Sequence, residues 1–215
     1  MEIDIQVCDD FEVTGTGDAR VWQDLPWTSL SKLGNGALDY QTQFKIAYSN
    51  TGVYFLFDCE DSKLSCTIEE DMANLFTEDV IEVFLWPDEM HAVYFEYEIS
   101  PLNFELPLCV TNSGDSFRGW LPWHYGGDRC CRHETSVQGG ERSPGASVDS
   151  WKTEFFIPFT LMTGMGNISP KAGSKWRANF YRIDHDNEQL TQWAWCLDID
   201  NNFHDFKNFG SLNFV

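Results

Sequence analysis

Glu78-Asp79-Val80-Ile81-Glu82-Val83-Phe84-Leu85-Trp86 is followed, after the break Pro87-Asp88-Glu89, by Tyr94-Phe95-Glu96-Tyr97-Glu98-Ile99. Both runs are rich in β-branched and aromatic residues, and both alternate, which is the pattern of strands. Side chains two apart on a strand share a face. Glu82, Phe84 and Trp86 therefore lie on one face and Val83 and Leu85 on the other. In the second run Tyr94, Glu96 and Glu98 oppose Phe95, Tyr97 and Ile99. If the two strands pair, one sheet surface carries Glu82, Glu96 and Glu98 among Phe84, Trp86 and Tyr94. Carboxylates among flat rings suit a polyhydroxylated ligand, whose C–H faces stack on the rings and whose hydroxyls donate to the carboxylates. The same pattern also fits a solvated sheet face with a few aromatics.

Further runs extend this reading. Phe44-Lys45-Ile46-Ala47-Tyr48 and Val53-Tyr54-Phe55-Leu56-Phe57-Asp58-Cys59 flank Ser49-Asn50-Thr51-Gly52 and predict a hairpin. Residues 151–157, 175–183 and 210–215 read as strands, with Trp151, Trp176 and Phe180 in the core. Trp193 and Trp195 share a side, either core or site mouth. Short alternating strands at this spacing predict an all-β, antiparallel β-sandwich of two sheets, immunoglobulin-like in architecture. Helical signals are confined to a few short turns, over 69–76 and 158–162. Residues 112–148, rich in Gly, Ser, Arg and His, read as a long loop or pair of excursions. At 215 residues the chain fits a single domain, 1–215.

The formal net charge of -20 argues against nucleic acid or an anionic membrane as partner, because phosphates would be repelled. It suits calcium. No run approaches the roughly 20 apolar residues of a membrane helix, so membrane insertion is not expected. Nine Trp and seventeen Phe favour recognition by ring stacking. Seven cysteines cannot all pair internally. Several sit in apolar runs as small buried hydrophobes, which leans towards a reducing, cytoplasmic compartment. Met1-Glu2-Ile3-Asp4-Ile5 has neither the basic region nor the apolar core of a signal peptide.

Several motifs fail on inspection. Asp198-Ile199-Asp200-Asn201-Asn202 begins like an EF-hand loop, but Phe203 and Phe209 stand where the geometry needs Gly and Glu. His124, Cys130, Cys131 and His133 match no usual zinc spacing. Glu96 and Glu98 form a carboxylate pair about 7 Å apart at the Cβ atoms, given a rise of about 3.3 Å per residue. Neighbours on one face of one strand rarely straddle a sugar ring, which speaks against hydrolysis.

The order of motifs is the most specific signal. Tyr54-Phe55-Leu56-Phe57-Asp58-Cys59-Glu60-Asp61 leads to Glu78–Phe84, then to Tyr97-Glu98-Ile99-Ser100-Pro101-Leu102-Asn103 and Trp151-Lys152-Thr153-Glu154 with Ile157-Pro158-Phe159. Trp176–Asp184, Trp193, and Phe203-His204-Asp205 before Phe209-Gly210-Ser211-Leu212 complete it. Nearly the whole chain resembles the family 9 carbohydrate-binding modules, within the wider DOMON-like β-sandwich group. The resemblance implies non-catalytic binding of a carbohydrate, a β-linked plant-type oligosaccharide or polysaccharide or its terminal sugar, beside polysaccharide catabolism. The founding type clamps a reducing end between two tryptophans, whose positions correspond here to Phe76 and Phe203. Glu82 matches a sugar-bonding glutamate. Glu98 falls where the founding type has a basic residue, Tyr181 where it has an amide, and Asp200 close to an asparagine. Arg182 and His204 are additional candidate donors. The resemblance also implies calcium, with Asp58, Glu60, Asp61 and Asp79 as local oxygen donors, and a family that is often secreted, which leaves localisation open. Some DOMON-like sandwiches hold haem between Met and His, for which Met72, Met90, His91 and His204 are available. A glycoside-active enzyme and a purely structural or partner-binding sandwich are the remaining readings.

Overall fold

The structure, a computed structural model, describes residues 1–114, 116–186, 189–197 and 202–215. In chain order the strands are β1 (Glu2–Val7), β2 (Thr28–Ser29), β3 (Ser31–Lys32), β4 (Thr42–Tyr48), β5 (Gly52–Glu60), β6 (Val80–Trp86) and β7 (Val93–Ile99). They continue as β8 (Glu105–Ser113), β9 (Ser116–Pro122), β10 (Arg132–Gln138), β11 (Ser150–Pro158), β12 (Lys175–Asp184), β13 (Thr191–Ala194) and β14 (Gly210–Phe214). Every run read as a strand from the sequence is one.

The strands form a β-sandwich. One sheet runs β14-β12-β6-β7-β8-β9, with β13 beside the second half of β12 and β3 beside β13. The other runs β4-β5-β11-β10, with β2 on β4. All of these pairings are antiparallel. The exception is β1, whose Glu2–Ile5 run parallel to Ser211–Phe214 and whose Gln6 and Val7 run parallel to Ala47 and Tyr48. That single strand passes from one sheet to the other and makes the two edges continuous.

The hairpin of β4 and β5 closes where the sequence placed it, with the Ser49 N–H donating to Gly52 O at 2.9 Å. A Cβ at Gly52 would stand 2.4 Å from the Ile157 carbonyl oxygen, so the turn requires glycine. Residues 112–148 differ from expectation. They carry β9 and β10, which extend opposite sheets by antiparallel pairing with β8 and β11. Among the described residues helix is limited to α1 (Arg20–Asp24) and isolated 3-10 turns, one over Leu75–Thr77.

The inner faces meet in one aromatic layer. Phe180 of β12 lies 4.7 Å from Phe44 and 5.6 Å from Phe55 of the facing sheet, ring centre to ring centre. Val83, Leu85, Phe95, Tyr97 and Ile99, the apolar halves of the two opening runs, all face this layer. Trp151, Trp176, Trp193 and Trp195 join it, so the last pair faces core and not site mouth. Tyr54 lies elsewhere, on the outer face of the second sheet, stacked 4.0 Å from Phe11.

Phe180 touches aromatic partners from both sheets. Phe180→Ala should cost about 3–5 kcal/mol in chemical denaturation, and Met90→Ala, on an exposed turn, less than about 0.5 kcal/mol.

Candidate functional site

β6 and β7 pair in the register that the alternation requires. Glu82 stands opposite Glu98 and Phe84 opposite Glu96, and on the other side of β6 Glu82 stands opposite Tyr181 of β12. One outward sheet face thus carries Glu82, Glu96 and Glu98 among Phe84, Trp86, Tyr94 and Tyr181. It is not a solvated face. Glu82, Glu96 and Glu98 are 3%, 4% and 0% exposed. Two segments cover them, the turn around Phe203–Phe209 and the 3-10 turn that presents Phe76.

The cover is held by specific contacts. Phe203 lies flat on Tyr181, 4.0 Å between centres and 11° between planes. The Tyr181 hydroxyl donates to Phe203 O at 3.0 Å and accepts from Asn179 Nδ2 at 2.7 Å. His204 stacks between Phe117 at 4.4 Å and Phe84 at 5.4 Å, and its Nδ1 meets the Tyr94 hydroxyl at 2.6 Å. Between cover and sheet lies a cavity of about 210 Å³. Its walls are Phe76, Phe203, Trp120 and Ile183, and its polar lining is Glu82, Glu96, Gln192 and His204.

Four of the sequence-predicted site residues, Phe76, Glu82, Phe203 and His204, therefore line one cavity. Glu98 stands directly behind, two residues from Glu96 on the same face. Tyr181 backs Phe203, with its hydroxyl already engaged. Asp200 lies outside the described residues. Arg182 is a correction. Adjacent to Tyr181 on β12, it faces the opposite way, wholly buried at one end of the inter-sheet layer. Sequence reasoning left Glu96, Trp120 and Gln192 out of the binding set. Glu96 was visible by the same two-residue period that selected Glu98.

The electrostatics of the cavity are one-sided. Burial raises the carboxyl of Glu82, with Glu96 adding to it, and raises that of Glu98, with Glu82 and Glu96 adding. Burial brings Glu96 to about 8. Burial also holds the His204 ring down to about 4, so the imidazole is neutral. Oε2 of Glu96 receives no hydrogen bond from outside the acidic pair, and Glu98 is engaged with Glu96 and with the Phe76 backbone N–H.

A second group of acids closes the same end of the sandwich. Oxygen atoms of Asp61, Asp79 and Asp184 lie within 4.8 Å of one another, the one such grouping of metal-ligating atoms among the described residues. Arg182 sits among them, with Nη2 at 2.5 Å from Asp184 Oδ2 and 3.2 Å from Asp61 Oδ2. Its Nη1 also donates to Glu60 O and Thr42 Oγ1 of the facing sheet. Burial, then the neighbouring Asp184, raises Asp79 to about 8, and Asp61 rises to about 7 mainly through burial despite Arg182. Three carboxylates face one guanidinium, and the excess of buried oxygen charge fits a hard cation. The four predicted ligands are thus regrouped. Asp61 and Asp79 belong here with Asp184. Asp58 and Glu60, two apart on β5, lie on the outer face of the other sheet, where Asp58 pairs with Lys152 and Glu60 accepts the Gln41 N–H.

Other expectations find less. Met90 is 86% exposed and His204 is tied to Tyr94, so no Met–His pair for haem is assembled from them. His133 bonds Asn103, and all seven cysteines are free thiols. A further cavity, about 510 Å³ near Pro158, has Asp128 as the one carboxylate among its described lining residues. Among the described residues no helix is long and apolar enough to cross a membrane.

The family described as carbohydrate family 9 binding domain-like matches residues 13–115, which contain Phe76, Glu82, Glu96 and Glu98. The chain is similar to the family 9 carbohydrate-binding modules. The family is one of binding modules, not of catalysts. A family 9 module from Caldicellulosiruptor kristjanssonii, in complex with cellotriose, superposes with a TM-score of 0.72 at 14% identity, over 100% of this chain and 93% of that one. Its glucose complex gives 0.70 at 14% identity, over 100% and 96%. A carbohydrate-binding-protein candidate from Bacteroides uniformis gives 0.77 at 14% identity, over 100% and 99%. A curated relative from Arthroderma benhamiae, named "Extracellular protein", is 23% identical over 205 residues, 88% of this chain and 87% of that protein. That name does not support the cytoplasmic lean taken from the free cysteines.

The buried acids set a pH dependence. Asp61 and Glu105 near 7, and Asp79 and Glu96 near 8, hold protons in the folded state that they lose near pH 4 when unfolded. Their stabilisation is complete below about pH 4 and is lost as pH rises towards 8. His204 opposes this only below its unfolded value of about 6.5. Unfolding free energy, measured by denaturant titration without added metal, should therefore fall between about pH 6.5 and 8.

Proposed function

We propose that this chain is a non-catalytic carbohydrate-binding protein that takes the terminal unit of a β-linked oligosaccharide or polysaccharide, beside polysaccharide catabolism. The observation that carries the reading is the cavity of about 210 Å³, with Phe76, Phe203 and Trp120 as its rings and Glu82, Glu96, Gln192 and His204 as its polar lining. It is smaller than the roughly 300–1,000 Å³ of pockets that enclose drug-sized ligands, which suits one ring or a chain end more than a long glycan. Phe76 and Phe203 act as the clamp on the sugar's C–H faces, and the carboxylates accept hydrogen bonds from its hydroxyls. Phe brings less stacking surface than Trp and no N–H donor, so the carboxylates bear more of the orientation. Likeness to modules solved with cellotriose and glucose supports the same ligand class.

Fluorescence titration with cello- and xylo-oligosaccharides, each intact and reduced to its alditol, tests the clamp. Saturable binding to intact sugars, weakened at least about tenfold in Phe76→Ala and in Phe203→Ala, is expected. Silence towards every β-linked oligosaccharide, neutral or amine-bearing, ends the reading.

Calcium is part of the proposal. Asp61, Asp79 and Asp184 would hold it, where it would neutralise buried carboxylate charge and join the ends of β5, β6 and β12. Calcium should raise the melting temperature of the wild type by several degrees, as a ligand of the folded state does. Asp79→Asn should remove most of that response.

A further inference from the structure

We propose that the cavity under Phe203 selects a sugar bearing a free amine, a β-linked 2-amino-2-deoxy hexose, whose ammonium lies against Glu96 and Glu82 with Glu98 behind them. The inference rests on the carbohydrate reading and names the ligand class within it.

The first observation is an imbalance of charge. Three carboxyl groups from two paired strands occupy one patch of sheet, each at most 4% exposed, and none of the residues lining the cavity is Lys or Arg. The one residue of basic type there, His204, is neutral, for its Nδ1 is tied to the Tyr94 hydroxyl and burial disfavours its charged form. A neutral sugar brings hydroxyls, which can accept from protonated carboxyls but cannot offset carboxylate charge. An ammonium brings three donors and the missing positive charge.

The second observation is unspent hydrogen-bonding capacity. Glu96 lines the cavity, is 4% exposed, and has an Oε2 that receives no hydrogen bond. Glu98, directly behind it, is engaged only with Glu96 and with the Phe76 backbone N–H. A buried acceptor left without a donor costs about 1–3 kcal/mol, and more when charged. A ligand that donates there removes that cost.

The third observation is the rings. Phe76, Phe203 and Trp120 wall the same cavity. Aromatic faces attract a cation and stack on sugar C–H surfaces alike. A bare metal ion would use the carboxylates and leave the rings idle, whereas an amino sugar uses both.

The site also predicts a proton. Burial and mutual repulsion raise the three carboxyl groups, Glu96 to about 8. The titratable groups that face them are Tyr94 from β7, Tyr181 from β12 and His204 from the covering turn, while β8 contributes Leu106 and Leu108. An entering ammonium favours the ionised carboxylates, so binding releases protons to solvent.

Titration of the full chain with the β-1,4-linked glucosamine trimer and with cellotriose, which differ by amine against hydroxyl at each ring, separates the outcomes. At about pH 6, where the amine is charged, the glucosamine trimer should bind at least about tenfold tighter. Calorimetry in buffers of different ionisation enthalpy should show proton release for the amine only. Glu96→Gln and Glu98→Gln remove groups that can ionise against the ammonium and are expected to stay folded, and each should bring the ratio of the two affinities towards one. Cellotriose binding as tightly as the amine, with no proton release, overturns the inference and leaves the carbohydrate reading standing. Failure of both sugars to bind overturns both.

Discussion

A carboxylate held out of water has to be protonated, paired or given a ligand, and six of the buried carboxyl groups of this sandwich gather in two clusters. Removing an ionised carboxyl from water costs several kcal/mol even after relaxation. Along β6, β7 and β12 the two-residue period leaves no choice about where the acids go. The odd positions of β6 and β7 must supply Val83, Leu85, Phe95, Tyr97 and Ile99 to the inter-sheet core. Glu82, Glu96 and Glu98 are consequently gathered on the outward face, and the aromatic turn that covers Phe84 and Tyr94 buries them as well. The cavity and its acidity thus have one origin.

The two clusters resolve the same cost differently. Around Asp61, Asp79 and Asp184 the chain supplies a guanidinium of its own, and Arg182 uses it to reach Glu60 O and Thr42 across the sandwich. Removing one partner of such a network is expensive, because it strands buried charge. Around Glu82, Glu96 and Glu98 the described lining residues supply no Lys or Arg, only apolar side chains, an amide and a neutral imidazole. A protein that needed these residues for stability alone would be better served by hydrophobic side chains of similar volume. Their retention next to a cavity is understandable when the missing partner arrives from outside.

Much of this was legible in the sequence. Alternation in 78–86 and 94–99 fixes both the strand pairing and the composition of each face, and the Ser49–Gly52 turn fixes the neighbouring hairpin. The order of motifs placed Phe76 and Phe203 on one site although they are far apart in the chain. What escaped depended on information that does not lie within one strand. Covering of the acidic face requires the turn that carries Phe206 and Phe209, whose packing partners are on β6 and β7. Asp184 joins Asp61 and Asp79 only because β12 pairs with β6 and ends beside the exit of β5. Arg182 was open to the stricter use of the rule that worked elsewhere, since neighbours on a strand cannot both face the site. Trp120 was missed because a segment dense in Gly and Ser reads as loop, although β8 offers it a partner strand.

The clusters are also mechanically joined. Asp79 precedes β6 by one residue and follows Phe76 by three. Its two carboxylate oxygens accept the Ser65 and His185 N–H groups, at 2.5 Å and 2.8 Å. Next to it Glu78 accepts from the Thr67 and Ile68 N–H groups. The turn that presents Phe76 is therefore anchored by acids, one of which, Asp79, is raised by burial and by its neighbours Asp184 and Asp61. Ionising Asp79 strengthens the hydrogen bonds that fix the turn but adds repulsion from Asp61 and Asp184. A bound cation removes the second effect and keeps the first. Occupation of the cluster would then order one wall of the sugar cavity without touching the sugar, and through Ile183, next to Asp184 on β12, the opposite wall is tied to the same strand end.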